Sequence, residues 1–253
     1  MESVQIKNYG TGVTLIQIDR KEIRNAINEQ VMDELNQALT LAERDASCIV
    51  VISGSGERAF CSGGDLSVFQ YLKTEKQAKE MLLKMGAILE RLAFFPKVTV
   101  AALNGTAVGG GSELATACDL RIAAPHVKLG FVQGELGITT GWGGSSLLFE
   151  RVTNQIALDM LLSARMYSTD ELYKQGFVHK VIYNASFLEG VIEYLESYFL
   201  QNKGVLQAYK ARLLDQLDRP NIHRNIQNEI KDCAKLWETD VHHEAVRAFL
   251  NRS

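Results

Sequence analysis

The chain has 253 residues, 46% of them hydrophobic and 23% charged, and a formal net charge of −3 at pH 7. This composition is typical of a globular enzyme, and without a basic block it disfavours nucleic acid as a partner. No apolar run approaches the roughly 20 residues of a membrane-spanning helix, which disfavours a membrane protein.

The N-terminal segment and the cysteines bear on location and metal binding. Residues 1–10 are polar and lack the apolar core of a secretory signal, so we expect a cytoplasmic protein. Cys48, Cys61, Cys118 and Cys233 are far apart in the sequence and form no Cys-x-x-Cys pair. Neither a zinc site nor a disulfide framework is therefore predicted, and the five histidines also lack metal-ligand spacing.

The first part of the chain predicts a hairpin, two helices and a buried strand. Apolar residues at 4–7 and 13–18 flank a glycine-containing turn, as in a β-hairpin. From Glu29 onward, apolar residues recur at helical spacing, and a second helical pattern covers 75–93. Residues 48–52 form an uninterrupted apolar run, which indicates a strand buried on both faces of a parallel sheet.

A second strand, predicted at 98–103, leads into the most informative stretch of the sequence. Three consecutive glycines follow at 109–111, and then a small, apolar segment at 113–118 suits a buried helix. Bare backbone N–H groups at such a helix start can bind an anion or a developing oxyanion. Glu113 is the only acidic side chain of this stretch, which makes it a candidate proton-transfer group.

Other glycine motifs do not fit this stretch. A phosphate-binding loop needs a lysine at position 111, and a dinucleotide-binding motif needs a glycine three residues later. Gly111 and Leu114 occupy these positions, and Leu114 also breaks the Gly-x-Ser-x-Gly pattern of a nucleophile elbow around Ser112. An N–H site beside a carboxylate remains, with a tight turn and close helix packing as the alternative interpretation.

A second glycine-containing loop follows the strand predicted at 48–52. Residues 57–66 include Gly63 and Gly64, and the alternative interpretation is a plain strand-to-helix turn. Because ligands of α/β folds bind at the edge of the sheet where such loops meet, we expect both glycine loops to lie together. Each loop could then donate one N–H to the same oxygen, which predicts an oxyanion hole.

The remaining sequence predicts a glycine-rich loop followed by helices. The loop covers 133–144, a short strand is predicted at 178–183, and the pattern from residue 185 onward is helical. We therefore predict one α/β core, residues 1–195, and a helical C-terminal region, residues 196–253. This region is expected to pack on the core or on a neighbouring subunit.

Structural or binding roles are also expected for several other side chains. Trp142 could line a ligand pocket or pack in the core. Asp119 and Arg121 are expected to form a structural pair, and His242 and His243 are expected to be solvated.

With these motifs in place, the chain resembles the crotonase family, the enoyl-CoA hydratase/isomerase superfamily. The resemblance covers nearly the whole length and rests on the order and spacing of six motifs, none of which is specific alone. The motifs are RNAIN at 24–28, AFCSGGDL at 59–66, VAALNG at 100–105, AVGGGSE at 107–113, ACDLR at 117–121 and GWGG at 141–144.

The resemblance implies an α/β fold built as a spiral of ββα turns, with two roughly perpendicular sheets. C-terminal helices would help to form trimers, which often pair into hexamers. It also implies an acyl-CoA thioester as substrate, no cofactor apart from the CoA of that substrate, and an oxyanion hole for the thioester enolate formed by the N–H groups of Gly64 and Gly110. The residues implied to contact the substrate and its CoA are Arg24, Ala26, Ala59, Asp65, Leu66, Val132 and Gly141.

One position departs from the family pattern. The hydratases of this family use two glutamates, and the position of the second is occupied here by Gln133, 20 residues after Glu113. An amide cannot accept and return a proton, although it can orient water or a carboxylate. Glu135 could replace the missing acid if the loop shifted, but its interpretation as a surface or structural acid is favoured.

The residues and the resemblance together predict an enzyme that stabilises a thioester enolate, in the first place an enoyl-CoA hydratase-like lyase. The loop at 131–144 looks most like that of the methylmalonyl/ethylmalonyl-CoA decarboxylases, so loss of CO₂ from a malonyl-type thioester is the alternative. That reaction needs a single acid, which Glu113 could supply. A CoA-binding scaffold without turnover is the alternative outside the enzyme class, and the retained Glu113 disfavours it.

Overall fold

The computed structural model describes residues 1–10, 12–199 and 202–251 and contains two β-sheets surrounded by helices. Among the helices of these residues, none combines the length and the apolarity of a membrane span. The strands are β1 (Val4–Tyr9), β2 (Val13–Ile18), β3 (Ile49–Gly54), β4 (Ala59–Cys61), β5 (Val98–Leu103), β6 (Thr106–Val108), β7 (Leu120–Ala123), β8 (Lys128–Gly130), β9 (Tyr167–Ser168) and β10 (Lys180–Val181). The helices are α1 (Glu29–Arg44), α2 (Leu66–Phe69), α3 (Glu75–Ala93), α4 (Gly110–Ala117), α5 (Gly144–Leu148), α6 (Asn154–Ser163), α7 (Thr169–Lys174), α8 (Phe187–Phe199), α9 (Lys203–Gln216), α10 (Arg219–Trp237) and α11 (Asp240–Leu250), with 3-10 turns at Lys21–Ile23 and Val132–Leu136.

The larger sheet has the strand order β1-β2-β3-β5-β7-β10. Strands β1 and β2 pair antiparallel, which confirms the predicted hairpin, and the other neighbours are parallel. The two faces of β3 explain its uninterrupted apolar sequence. Val50 and Ile52 belong to one buried apolar cluster, and Ile49 and Val51 belong to a second cluster on the opposite face.

The smaller sheet has the order β4-β6-β8-β9 and corrects one prediction. The residue patterns placed both glycine loops directly after strands of the larger sheet, and that placement is wrong. Strand β4 intervenes between β3 and Gly63, and β6 intervenes between β5 and Gly109. Both intervening strands are only three residues long, too short for a period of two to be recognised. Because β4 and β6 are parallel neighbours, the loops that follow them still meet at one edge.

Helices α1 and α3 form where the apolar spacing predicts them. The side chain of Asn28 caps α1, and Thr74 and Gln77 form a capping box at the start of α3. Helix α1 buries its apolar stripe, including Leu35, against β1, β2 and α3, whereas α3 buries its stripe, including Leu89, against α1, α4 and α10. Local capping and long-range burial therefore favour the same helix limits.

The C-terminal helices pack on the core of their own chain. Helix α8 crosses the predicted boundary at 195 and places Val191 and Leu195 in the second apolar cluster. Helix α10 packs along α3, and the two approach closely at Gly86. A Cβ atom at this glycine would lie 2.8 Å from the Cδ1 atom of Ile230, so a larger residue would require the Ile230 side chain to move.

Candidate active site

Three glycines bring α4 into close contact with its surroundings, each for a different reason. Gly109 adopts φ +54°, a backbone conformation that favours glycine. A Cβ atom on Gly110 would overlap the indole ring of Trp142, and one on Gly111 would overlap the carbonyl oxygen of Cys61. The glycine triplet is therefore both a tight turn and a close packing site, and it places the next acidic residue in the interior.

That residue, Glu113, lies in the first turn of α4 and is only 2% exposed. Its Oε2 atom accepts the N–H groups of Trp142 and Gly144, each at 2.8 Å. Its Oε1 atom accepts the side-chain amide of Gln133 at 2.8 Å and the more distant N–H of Gly141 at 3.4 Å. The glycine-rich loop at 133–144 therefore folds around the carboxyl group that the preceding glycine loop supplies.

The protonation of Glu113 follows from these surroundings. Burial raises the pKa of the carboxyl group to about 8, and the negative charge of Glu229 acts in the same direction. The N–H groups of Trp142, Gly144 and Gly141 act against this increase without cancelling it. A carboxyl with this pKa carries a proton at pH 7 and is suited to act as a general acid.

Gln133 lies beside Glu113, although the two are 20 positions apart in the sequence. Its nitrogen donates to Glu113, while its Oε1 atom is buried and has no hydrogen-bond partner among the described residues. An unsatisfied buried acceptor costs about 1–3 kcal/mol. A ligand or water that donates a hydrogen bond would relieve this cost. Rotation of the amide by half a turn would let its oxygen accept the proton of neutral Glu113, but it would leave the amide N–H groups without a partner in its place.

Gly64 and Gly110 line the same cavity as Glu113. Neither backbone N–H donates to another group within residues 1–10, 12–199 and 202–251. The loop that contains Gly63 and Gly64 is fixed by Ile27. The N–H of Ile27 donates to the carbonyl of Gly63, and the carbonyl of Ile27 accepts the N–H of Asp65, both at 2.8 Å. The two loops are in contact, because a Cβ atom on Gly63 would lie 3.2 Å from the nitrogen of Gly110. Two available N–H groups in adjacent loops can stabilise an oxyanion.

The cavity has a volume of about 140 Å³ and is mainly apolar beyond the two glycines. Three residues predicted to contact the substrate, Leu66, Val132 and Gly141, lie in its wall together with Glu113 and Gln133. Side chains of the helices were not predicted, because helical periodicity identifies a buried face but not what that face contacts. These additional wall residues include Phe69, Met81, Leu82, Leu136, Cys233, Trp237 and Phe249, and Ile138 of the glycine-rich loop joins them.

A second cavity of about 210 Å³ contains two more of the predicted contact residues. Arg24 and Ala59 line it, and it shares Ser62 and Val108 with the first cavity. The shared residues place the two cavities side by side, so a long ligand could occupy both. Arg24 is exposed there and adopts φ 56°.

Two predicted contact residues, Asp65 and Ala26, line neither cavity. The carboxylate of Asp65 lies 3.1 Å from Nη1 of Arg20 and also accepts the N–H and the hydroxyl of Ser67 at the start of α2. The same Arg20 nitrogen donates to the carbonyl of Ala26 at 2.6 Å. The polar groups of these two residues thus bind within the protein, and their contact with a ligand stays a prediction.

Trp142 satisfies both of its interpretations, because it lines the cavity and is 4% exposed. Glu135 also lines the cavity but is exposed, which agrees with its interpretation as a surface acid. Within the described part of the chain, no group of three or more metal-ligating side chains is arranged to bind a metal ion.

Two structural interpretations were wrong. The carboxylate of Asp119 binds Nζ of Lys210, at 2.6 and 2.7 Å, whereas among the described residues the Arg121 side chain donates only to backbone carbonyls, those of Cys118, Phe177 and Asp119 itself. His242 is buried, not solvated, and its Nδ1 atom lies 2.7 Å from the carbonyl oxygen of Leu136. Both errors involve partners that are distant in the sequence.

The chain is similar to known proteins over nearly its whole length. Residues 8–253 match the profile of the family described as enoyl-CoA hydratase/isomerase. The short-chain-enoyl-CoA hydratase of Clostridium acetobutylicum is 27% identical over 95% of this chain and 92% of its own length. The ethylmalonyl-CoA decarboxylase of Rattus norvegicus is 27% identical over 96% of this chain and 82% of its own. The crystal structure of an enoyl-CoA hydratase from Bacillus halodurans has the same fold, with a TM-score of 0.87 at 20% identity over 97% of this chain and 99% of that one.

Proposed function

The chain belongs to the enoyl-CoA hydratase/isomerase family, and on that premise we propose that it is a lyase that acts on an acyl-CoA thioester through an enolate. The observation that carries this proposal is the pair of N–H groups at Gly64 and Gly110, which line one cavity with Glu113 and donate to no other described residue. The thioester oxygen would accept both N–H groups as it gains negative charge. Glu113 would deliver a proton to the α-carbon.

Hydration of an enoyl-CoA is the first candidate, and the enoyl-CoA hydratase relative supports it. The oxygen of water would form a bond to the β-carbon while the double bond opens toward the enolate. Glu113 would give its proton to the α-carbon and take one from the attacking water, so that one molecule of water is added in total. The buried Oε1 atom of Gln133 is available to accept a hydrogen bond from that water.

Loss of CO₂ from a malonyl-type thioester is the second candidate. The bond between the α-carbon and the carboxylate would break, its electron pair would form the enolate, and Glu113 would protonate the α-carbon. Two features favour this reaction. Gln133 replaces a second acid, which decarboxylation does not need, and none of the described residues that line the cavity is Lys, Arg or His. A substrate carboxylate would therefore lose its hydration without gaining a cationic partner.

Product masses after incubation with crotonyl-CoA and, separately, with ethylmalonyl-CoA test both candidates. Addition of water to the first substrate alone would support hydration, and loss of CO₂ from the second alone would support decarboxylation. The Glu113→Gln variant is the control, since it should bind both thioesters and convert neither. No conversion of either substrate by the unmodified protein would contradict the proposed function and favour the scaffold alternative.

The assembly of the protein is a separate proposal. We infer a homotrimer, with trimers pairing into a hexamer, from the family resemblance. Exposed apolar side chains on α6 support a subunit contact, because Leu158 and Leu162 are 46% and 81% exposed. Light scattering on the purified protein would measure the mass of the assembly. Location in the cytoplasm and the lack of any cofactor other than the CoA of the substrate stay predictions.

A further inference from the structure

A second buried carboxylate lies on the other side of the loop that surrounds Glu113. Glu229 of α10 is only 9% exposed. It accepts the N–H of Gly143 at 3.0 Å, the N–H of Ser146 at 2.9 Å and the hydroxyls of Ser145 and Ser146, each at 2.7 Å. A buried carboxylate with this many donors fixes the backbone of the loop in one position.

The two carboxyl groups divide the donors of one short segment between them. Trp142 and Gly144 donate their N–H groups to Glu113, whereas the intervening Gly143 donates to Glu229. Consecutive peptide groups thus point to opposite sides. A movement of this segment that weakened the contacts of one carboxyl group would also change the contacts of the other.

We propose that Glu229 is a positioning residue for Glu113, because it anchors residues 143–146 and thereby keeps the N–H groups of Trp142 and Gly144 on the Glu113 carboxyl. This inference rests on the proposed role of Glu113 as the acid of the site. Glu229 does not itself line the cavity. It acts on the site through the loop and through its negative charge.

The charge of Glu229 changes the pKa of Glu113, and two other titratable side chains near Glu113 have to be considered beside it. Cys233 of α10 is one of them. Burial raises the pKa of its thiol, so the thiol stays neutral. Glu135 also lines the cavity but is exposed. The like charge of Glu229 contributes, after burial, to the raised pKa of Glu113. Removing that charge should therefore lower the pKa of Glu113.

The test is a direct titration of Glu113 by NMR on protein labelled with ¹³C at the glutamate carboxyl carbons. The Glu113 signal is identified by its absence in Glu113→Gln. In Glu229→Gln, the titration midpoint of Glu113 should fall by roughly 1 pH unit. The variant keeps an acceptor for Gly143 and gains donors for the serine hydroxyls, but it loses the acceptor of the Ser146 N–H. Glu229→Met removes the charge and also every acceptor that anchors the loop, so the N–H groups of Trp142 and Gly144, which lower the pKa of Glu113, should leave its carboxyl group. The midpoint should therefore be higher in Glu229→Met than in Glu229→Gln.

Glu34→Gln is the matched control. Glu34 is also 9% exposed and accepts the N–H groups of Ser3 and Val4 at 2.8 Å, but it lies in α1 and lines neither cavity. It should lose stability without moving the Glu113 midpoint. An equal midpoint in Glu229→Gln and Glu229→Met would overturn the proposal and leave Glu229 as a cap of α5 alone. The titration needs no turnover, so it decides the role of Glu229 even if neither thioester is converted.

Discussion

The indole ring of Trp142 lies directly against the Cα atom of Gly110, so that a Cβ atom at position 110 would overlap the ring. The same ring lies 3.7 Å from the position that a Cβ atom of Gly64 would take. The backbone N–H of Trp142 donates to Glu113 at 2.8 Å. One residue therefore contacts both glycines of the proposed oxyanion hole and the proposed acid, and fixes their relative positions.

This contact predicts the effect of a single methyl group. In Gly110→Ala, the ring or the glycine turn must move, and the N–H of residue 110 loses its position. We expect the turnover of whichever thioester is converted to fall by roughly 100-fold, the loss typical of one missing oxyanion donor. Steady-state kinetics would measure it. Gly10→Ala is the control, since a Cβ atom there has no neighbour within 4 Å. Equal activity of the two variants would contradict the role of Gly110.

The raised pKa of Glu113 predicts how stability depends on pH. The folded protein retains this proton up to about pH 8, while the unfolded chain loses it near the ordinary value of 4.5. The contribution of the neutral carboxyl group to the free energy of unfolding is therefore fully present below pH 4.5. It decreases as the pH rises toward 8, by at most about 1.4 kcal/mol per pH unit. Urea unfolding between about pH 5 and pH 8 should show this decrease in the unmodified protein but not in Glu113→Gln. Parallel curves for both proteins would show that Glu113 has an ordinary pKa.

Gln133→Glu restores the second acid of the family pattern. Because the amide nitrogen lies 2.8 Å from Glu113, the new carboxyl group would share a proton with it, and the pair would titrate in two separate steps. One ionised and one neutral carboxyl suit hydration, so we expect the rate with crotonyl-CoA to rise by roughly 100-fold. Initial rates would measure this gain. No gain would show that the missing acid does not limit hydration.

Glu135→Gln tests whether Glu135 replaces the missing second acid. Glu135 is exposed and has no contact with Glu113 among the described hydrogen bonds. We expect the variant to convert thioesters at the rate of the unmodified protein. A large loss of hydration, measured by the same initial rates, would instead identify Glu135 as the replacement acid.

The buried pair of Lys210 and Asp119 predicts a large loss of stability. Lys210→Met leaves the Asp119 carboxylate buried with the N–H of Thr99 as a donor, and the nearest remaining cation among the described residues is Arg151, at 3.9 Å. We expect a loss of about 3–5 kcal/mol in the free energy of unfolding, as for other broken buried pairs. Arg212→Met, on the same helix, removes a pair whose side chains are 74% and 56% exposed and should cost less than about 1 kcal/mol. Urea unfolding of both variants would measure the difference, and equal losses would contradict it.

Local patterns in the sequence determined much of the fold. The apolar spacing of α1 and α3, the apolar run of β3 and the strand β5 at 98–103 all appear where they were predicted. Such elements follow from neighbours within one or two turns, which a sequence displays directly. Strands β4 and β6 were missed, because three residues show no period and their pairing depends on another part of the chain.

Part of the candidate site also followed from the sequence, and the rest depended on the tertiary structure. The sequence by itself determined a strand, three glycines and one acidic residue in order, and it placed an amide where a second acid was expected. Only the tertiary structure decided that Gln133 contacts Glu113 and that Glu229 binds a loop 86 positions earlier in the chain. It also decided that Asp119 pairs with Lys210, 91 positions away. These contacts depend on how α4, α9 and α10 pack, and the energy of packing is shared among many residues that no local pattern shows together.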